Sequence, residues 1–119
     1  MVDELRTGEL AELERQVRTQ LAAVEASLAQ AESSAGTVEL DQQRQGRLSR
    51  MDALQQQAMA QASVRQLGRE RVALKRALAR FETGDYGWCE DCGEPIGVAR
   101  LRVRPESEYC IQCQDGQDV

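Results

Sequence analysis

Four cysteines constrain this chain more than anything else in it. Cys89-x-x-Cys92 and Cys110-x-x-Cys113 lie 17 residues apart, they are the chain's only thiols, and there is no histidine. Two Cys-x-x-Cys turns at this separation match the two-knuckle pattern of a tetrahedral zinc site, each turn offering two sulfurs on one side of a tight loop. Gly93 follows the first knuckle, where a positive φ is often needed. Four sulfur ligands leave no open coordination position, so one structural Zn2+ held by Cys89, Cys92, Cys110 and Cys113 is expected, and no catalytic metal. Two readings compete with zinc. Paired disulfides need an oxidising compartment. A redox dithiol needs one reactive pair beside a helix N-terminus in a βαβ setting, which the flanking residues do not provide.

The residues ahead of the cysteines carry a different pattern. Leu10, Leu13, Val17, Leu21, Val24, Leu28 and Ala31 fall within an arc of roughly 80° on a helix, the narrow stripe of a coiled-coil seam. This predicts a helix from Asp3 to about Ser33, followed by a break at "SSAGTVEL". A second helix is predicted from between Asp41 and Ser49 to about Glu82, with a less regular stripe. Leu48, Met51, Leu54, Ala58 and Ala62 share one sector, and Leu67, Leu74, Leu78 and Phe81 share another, partly facing the cysteine module. Two such helices bury their stripes on each other only by folding back antiparallel.

The fold class expected is therefore mainly α: a long antiparallel coiled-coil hairpin over residues 1–83, with its tip around 34–52, then a small four-cysteine module with a short tail over 84–119. About thirty helical residues give an arm on the order of 45 Å, which would hold the tip far from the cysteines. With one Phe, two Tyr and one Trp in 119 residues, a large conventional core is out of reach. Tyr86, Trp88 and Ile96 are the expected small core of the module.

Charge divides along the same boundary. Residues 1–83 hold twelve acids and twelve bases, and residues 84–119 hold eight acids against Arg100, Arg102 and Arg104, so the whole net charge of −5 sits on the cysteine module. Nonspecific nucleic-acid affinity rests on basic contacts, so DNA binding through this module is disfavoured. Residues 1–32 are acidic, and residues 65–80 carry Arg65, Arg69, Arg71, Lys75, Arg76 and Arg80 against Glu70 alone. An antiparallel hairpin would place these two segments side by side. No long apolar segment and no basic-then-apolar N-terminus are present, so a cytoplasmic protein without membrane association is expected. Nothing in the pattern suggests an enzyme.

The run "TGDYGWCEDCGEPIGVARLRVRPESEYCIQCQ", residues 83–114, closely resembles the zinc-finger signature of the DksA/TraR family of bacterial transcription regulators. The resemblance implies a factor that binds RNA polymerase without touching DNA, inserts its coiled coil into the secondary channel and modulates initiation through acids at the tip. Characterised members place Asp-x-x-Asp-x-Ala there, a string absent from this chain. Asp41, with Glu39 beside it but Val38 and Gln43 at the flanking positions, is one candidate, and Asp52 with Ala53 is the other. Arg65, Arg69, Arg71, Lys75, Arg76 and Arg104 are the candidate polymerase contacts.

Longer members carry a helix after the last cysteine, where six residues follow Cys113 here. Some members share a guanosine tetraphosphate site with the polymerase through bases at positions that are Ala73 and Gln114 in this chain, which implies weak or absent dependence on that nucleotide. A zinc-stapled coiled-coil scaffold or adaptor remains the alternative function. A monomer is expected, although the stripe of the first helix also suits an intermolecular partner.

Overall fold

In the computed structural model of the chain, residues 4–36 and 47–117 are described. Among these residues four helices are seen: α1 (Thr7–Gly36), α2 (Arg47–Thr83), α3 (Val98–Val103) and α4 (Ile111–Gln117). Among the described residues there is no strand, only an isolated antiparallel bridge between Trp88 and Pro95.

Contacts divide the chain into two compact units, one made of Met1–Leu21 with Ala73–Val119 and the other of Ala22–Val72. The start of α1 thus shares a unit with the end of α2, and the rest of α1 with the earlier part of α2, which is the pairing of an antiparallel hairpin. The fold is mainly α, a helical hairpin joined to a four-cysteine module.

The stripe on α1 is as expected. Leu13 and Val17 are fully buried, and Leu10, Leu21, Val24, Leu28 and Ala31 are partly buried. On α2 the seam differs from the expected one. Met51 and Leu54 are 61% and 49% exposed, and Ala58 and Ala62 are exposed as well, so that sector is not the packed face. Ala77 and Arg80 are buried, and the seam itself runs through Ala53, Gln57, Ala60, Val64, Leu67, Arg71, Leu74, Leu78 and Phe81. They follow each other at alternating steps of four and three, an uninterrupted heptad spacing. Leu67, Leu74, Leu78 and Phe81 belong to it as expected.

The Met1–Leu21/Ala73–Val119 unit holds the core. Leu13, Val17, Leu74, Ala77, Tyr86, Ile96 and Leu101 are buried, and Pro105 is fully enclosed. Tyr86 stacks on Phe81 with ring centroids 3.8 Å apart and donates its hydroxyl to Pro105 O at 2.7 Å. Trp88, expected in the core, is 37% exposed, and Leu101 takes that inner position. Leu101 lies on α3, so the alternating "VARLRV" segment is a short helix whose apolar residue points inward.

At its end, α2 closes on Arg80 O, which accepts the N–H groups of Asp85 and Tyr86 with Gly84 at φ 81, and the chain turns directly into the cysteine module. The expected pairing of α1 acids with α2 bases is absent among the described residues. Arg76 and Arg80 instead reach Glu108 and Glu90 of the cysteine module, and Glu12 of α1 pairs with Arg102 of α3 at 3.4 Å. Gln16 of α1 also donates to Arg102 O at 2.9 Å. Bases on α2 that the sequence suggests for the neighbouring helix thus fasten the module.

Candidate metal centre

Each pair of cysteines is positioned by a short hydrogen-bonded turn. In the first knuckle Gly93 N donates to Cys89 O at 3.0 Å and Cys89 N to Glu94 O at 2.8 Å. Gly93 has φ 75, the left-handed conformation that a side chain would strain. The Trp88–Pro95 bridge and a 2.8 Å bond from Ile96 N to Gly87 O close the base of this turn. The second pair starts at the entry to α4, where Gln114 N donates to Cys110 O at 2.8 Å, so Cys113 rides on the first turn of a seven-residue helix. Glu90 N to Glu108 O at 2.8 Å ties the two knuckles together, and Arg100 Nε to Tyr109 O at 3.0 Å holds α3 against the second.

The result brings all four predicted ligands together. The Sγ atoms of Cys89, Cys92, Cys110 and Cys113 lie within 4.8 Å of one another, and Cys92 Sγ is 3.8 Å from Cys110 Sγ. Tetrahedral zinc with Zn–S bonds of about 2.3 Å sets its sulfurs about 3.8 Å apart, whereas a disulfide needs about 2.05 Å. The donor set fits one zinc ion.

Thiol acidity points the same way. Burial pushes the Cys89 thiol up, but the backbone N–H groups of Cys92, Cys110 and Asp91 aimed at its sulfur more than offset this and draw it down to about 6. Cys113 is raised, first by its contact with the Cys110 sulfur. Cys92 is drawn down by the Glu94 backbone N–H, yet the Cys89 sulfur and burial leave it raised overall. The Cys89 thiolate forms readily and those of Cys92 and Cys113 resist, as expected where like charges crowd together, and a bound dication removes that resistance.

The module is a structural zinc finger. The ion supplies a cross-link between Cys89–Cys92 and Cys110–Cys113 and, with its four positions filled by sulfur, has no site for a substrate. The chain's own residues extend that cross-link into the helices. Arg80 of α2 is 8% exposed and donates from Nη2 to Trp88 O at 3.1 Å and from Nη1 to Ser107 O at 3.4 Å. Its Nε lies 3.4 Å from Glu90 Oε1, between the first two cysteines. The sequence shows Arg80 only as one member of a basic run, and no periodicity marks it as the one turned inward.

The other predicted residues are placed less decisively. Glu39 and Asp41 lie outside the described residues. Asp52 is exposed near the start of α2 and Ala53 is partly buried, opening the heptad seam. Arg65 and Arg69 are exposed and Arg71 is partly buried in the Ala22–Val72 unit. In the other unit Lys75 is exposed, Arg76 pairs with Glu108 at 3.1 Å and Arg104 with Glu106 at 3.5 Å. Among the described residues no helix is long and apolar enough to cross a membrane.

Comparison with known proteins places this geometry. Residues 84–118 match the prokaryotic dksA/traR C4-type zinc finger. The chain is 41% identical over 54 residues to the RNA polymerase-binding transcription factor DksA of Haemophilus influenzae, covering 43% of this chain and 37% of the relative. It is 36% identical over 67 residues to the protein of the same name from Escherichia coli, covering 54% and 44%. The chain thus spans less than half the length of these curated relatives. The solved structure of transcription factor DksA2 from Pseudomonas aeruginosa superposes with a TM-score of 0.75 at 25% identity, covering 94% of this chain and 84% of that one. The finger's ligands and spacing agree with the family match, and the fold agrees with that solved structure: residues 84–118 are a zinc finger of the dksA/traR C4 type, carried on a fold similar to that of DksA2.

Proposed function

We propose that this protein is a DksA-like transcription regulator that binds RNA polymerase in the secondary channel and modulates initiation through its coiled-coil tip, without binding DNA. The observation that carries the reading is the structural similarity to transcription factor DksA2 over 94% of the chain, together with relatives named for binding RNA polymerase. The acid at the tip is Asp41 or Asp52, with Glu39 and Ala53 beside them, and Arg65, Arg69, Arg71, Lys75, Arg76 and Arg104 supply contacts to the enzyme. Zinc holds the finger, and the protein is a cytoplasmic monomer with no catalytic activity of its own and weak or absent dependence on guanosine tetraphosphate.

Binding of the zinc-loaded protein to core RNA polymerase, in competition with a factor known to occupy the secondary channel, tests this reading. Mutual exclusion supports it, and binding without competition refutes the channel. Loss of the effect on transcription in Asp41→Asn or Asp52→Asn, with binding retained, identifies the acting acid; if both variants stay fully active, the tip mechanism is wrong.

One observation favours a second reading. Met51, Leu54, Met59 and Val72 are all exposed on α2, more apolar surface than a solvated helix face needs. A zinc-stapled scaffold would use that face for a partner helix. It predicts self-association, or partner binding independent of polymerase, and light scattering at rising protein concentration separates the two.

A further inference from the structure

The Met1–Leu21/Ala73–Val119 unit contains a cavity of about 480 Å³, bounded by the start of α1 and the turn that leaves α2. Its volume is within the usual range for small-ligand sites. Phe81, Tyr86 and Trp88, three of the chain's four aromatic residues, line one part of it, and Leu5, Glu4 and Glu14 line another. Trp88 keeps 37% of its surface exposed, although it is the largest apolar side chain in the protein.

Among the described residues no basic side chain lines the cavity, and two carboxylates do. Glu14 engages Arg18 through Oε2 alone, which leaves Oε1 as an acceptor, and no partner is seen for Glu4 among the described residues. An anion is repelled by this rim. A neutral apolar molecule would satisfy the aromatic side and leave the carboxylates desolvated. A cation on a short alkyl stem suits both: the stem would lie along Leu5, and the charged head would meet the carboxylates beside the exposed ring of Trp88.

We propose that this cavity is a binding site for an alkyl cation of the guanidinium or ammonium type. It goes beyond the transcriptional role and does not depend on it. Two sources present this chemistry, a free small amine or guanidine and an arginine or lysine side chain of a protein partner, and the same site takes either head group.

Trp88 is the only tryptophan and reports directly on the cavity. Zinc-loaded full-length protein is titrated with n-butylguanidinium, and in parallel with n-butanesulfonate and with a capped Gly-Arg-Gly peptide, at constant ionic strength. Expected is a saturable change in Trp88 emission with butylguanidinium, half-saturated on the order of 1 mM, and none with the sulfonate. The double variant Glu4→Gln/Glu14→Gln, altering two solvent-facing carboxylates, raises the half-saturation about fivefold or more. A peptide response as strong as that of butylguanidinium identifies a partner's arginine as the source, and a response to butylguanidinium alone identifies a free cation. Saturation-transfer NMR on the ligand gives a readout independent of fluorescence. Equal responses to sulfonate and guanidinium, no saturable response in either measurement, or unchanged affinity in the double variant overturns the proposal.

Discussion

Replacing Arg80 by methionine tests whether the finger is fastened to α2 by that one side chain. Methionine keeps the length and most of the packing of the arginine stem while removing all of its donors. The loss is dominated by two carbonyls, Trp88 O at 3.1 Å and Ser107 O at 3.4 Å. Hydrogen bonds from a charged donor contribute about 1.5–3 kcal/mol each, and the longer one takes the lower end. The ion pair with Glu90, whose side chain is 47% exposed, is screened and adds about 0–1 kcal/mol. The guanidinium 5.9 Å from the Tyr86 ring centre adds about 0.5 kcal/mol. Regained apolar packing offsets part of this, so Arg80→Met should cost about 3 kcal/mol, or roughly 10 °C in melting temperature for a chain of this size. Glu90→Gln, which leaves both carbonyl bonds in place, should cost less than about 1 kcal/mol. Denaturant unfolding with excess zinc, followed by Trp88 emission, measures both. An Arg80→Met variant within about 0.5 kcal/mol of the parent, or a Glu90→Gln variant as damaged as Arg80→Met, refutes the carbonyl-bonding account.

Three further outcomes are expected. Chelation should release one zinc per chain and unfold the finger, because structural zinc contributes on the order of 10 kcal/mol to such modules; Cys110→Ser should abolish stoichiometric binding, and metal quantification with circular dichroism reads both. Gly87→Ala should destabilise by about 1–3 kcal/mol, since Gly87 sits at φ +91 and an added Cβ would lie 2.8 Å from Leu5 Cδ1; a thermal melt unchanged from the parent would show that Leu5 yields without cost. Burial pushes the Tyr86 phenol well above its ordinary value of 10, with Arg80 only partly opposing this and Glu106 adding to it. A raised folded value means stability that is complete below the unfolded value and declines as pH rises beyond it, so the parent should lose stability above about pH 10 more steeply than Tyr86→Phe in alkaline denaturation; parallel curves would remove Tyr86 as the cause.

How much of this was legible in the sequence depended on whether a residue's chemistry matched its place. The four thiols were fully legible, because Cys-x-x-Cys spacing and zinc geometry impose the same turn. The α1 seam was legible because every position of its stripe from Leu10 to Ala31 is apolar. On α2 the seam includes Gln57 and Arg71 and relies on Ala53 and Ala60, so four of its nine positions look polar or weakly apolar. The outward sector displays Met51, Leu54 and Val72 instead, and hydrophobicity alone therefore selected the wrong face. What locates the true seam is continuity of the four-and-three step through Leu67, Leu74, Leu78 and Phe81 back to Ala53.

That mismatch has a physical consequence for how the two units differ. A seam of alanines with a glutamine buries little area per residue, and area removed from water sets the hydrophobic contribution at about 25 cal/mol per Å². Among the described residues the largest fully buried side chains are Leu13, Leu101, Val17 and Pro105, and all four lie in the unit that holds the finger. Zinc, Arg80 and the Tyr86–Phe81 stack reinforce that same unit. Local opening free energies follow buried contacts, so amide exchange should be slowest around Leu13, Val17, Leu74 and Leu101 and markedly faster from Ala53 to Val64. Uniform protection along α2 would mean that the alanine seam packs as firmly as the finger's core, and that the stability of the hairpin does not originate at the zinc end.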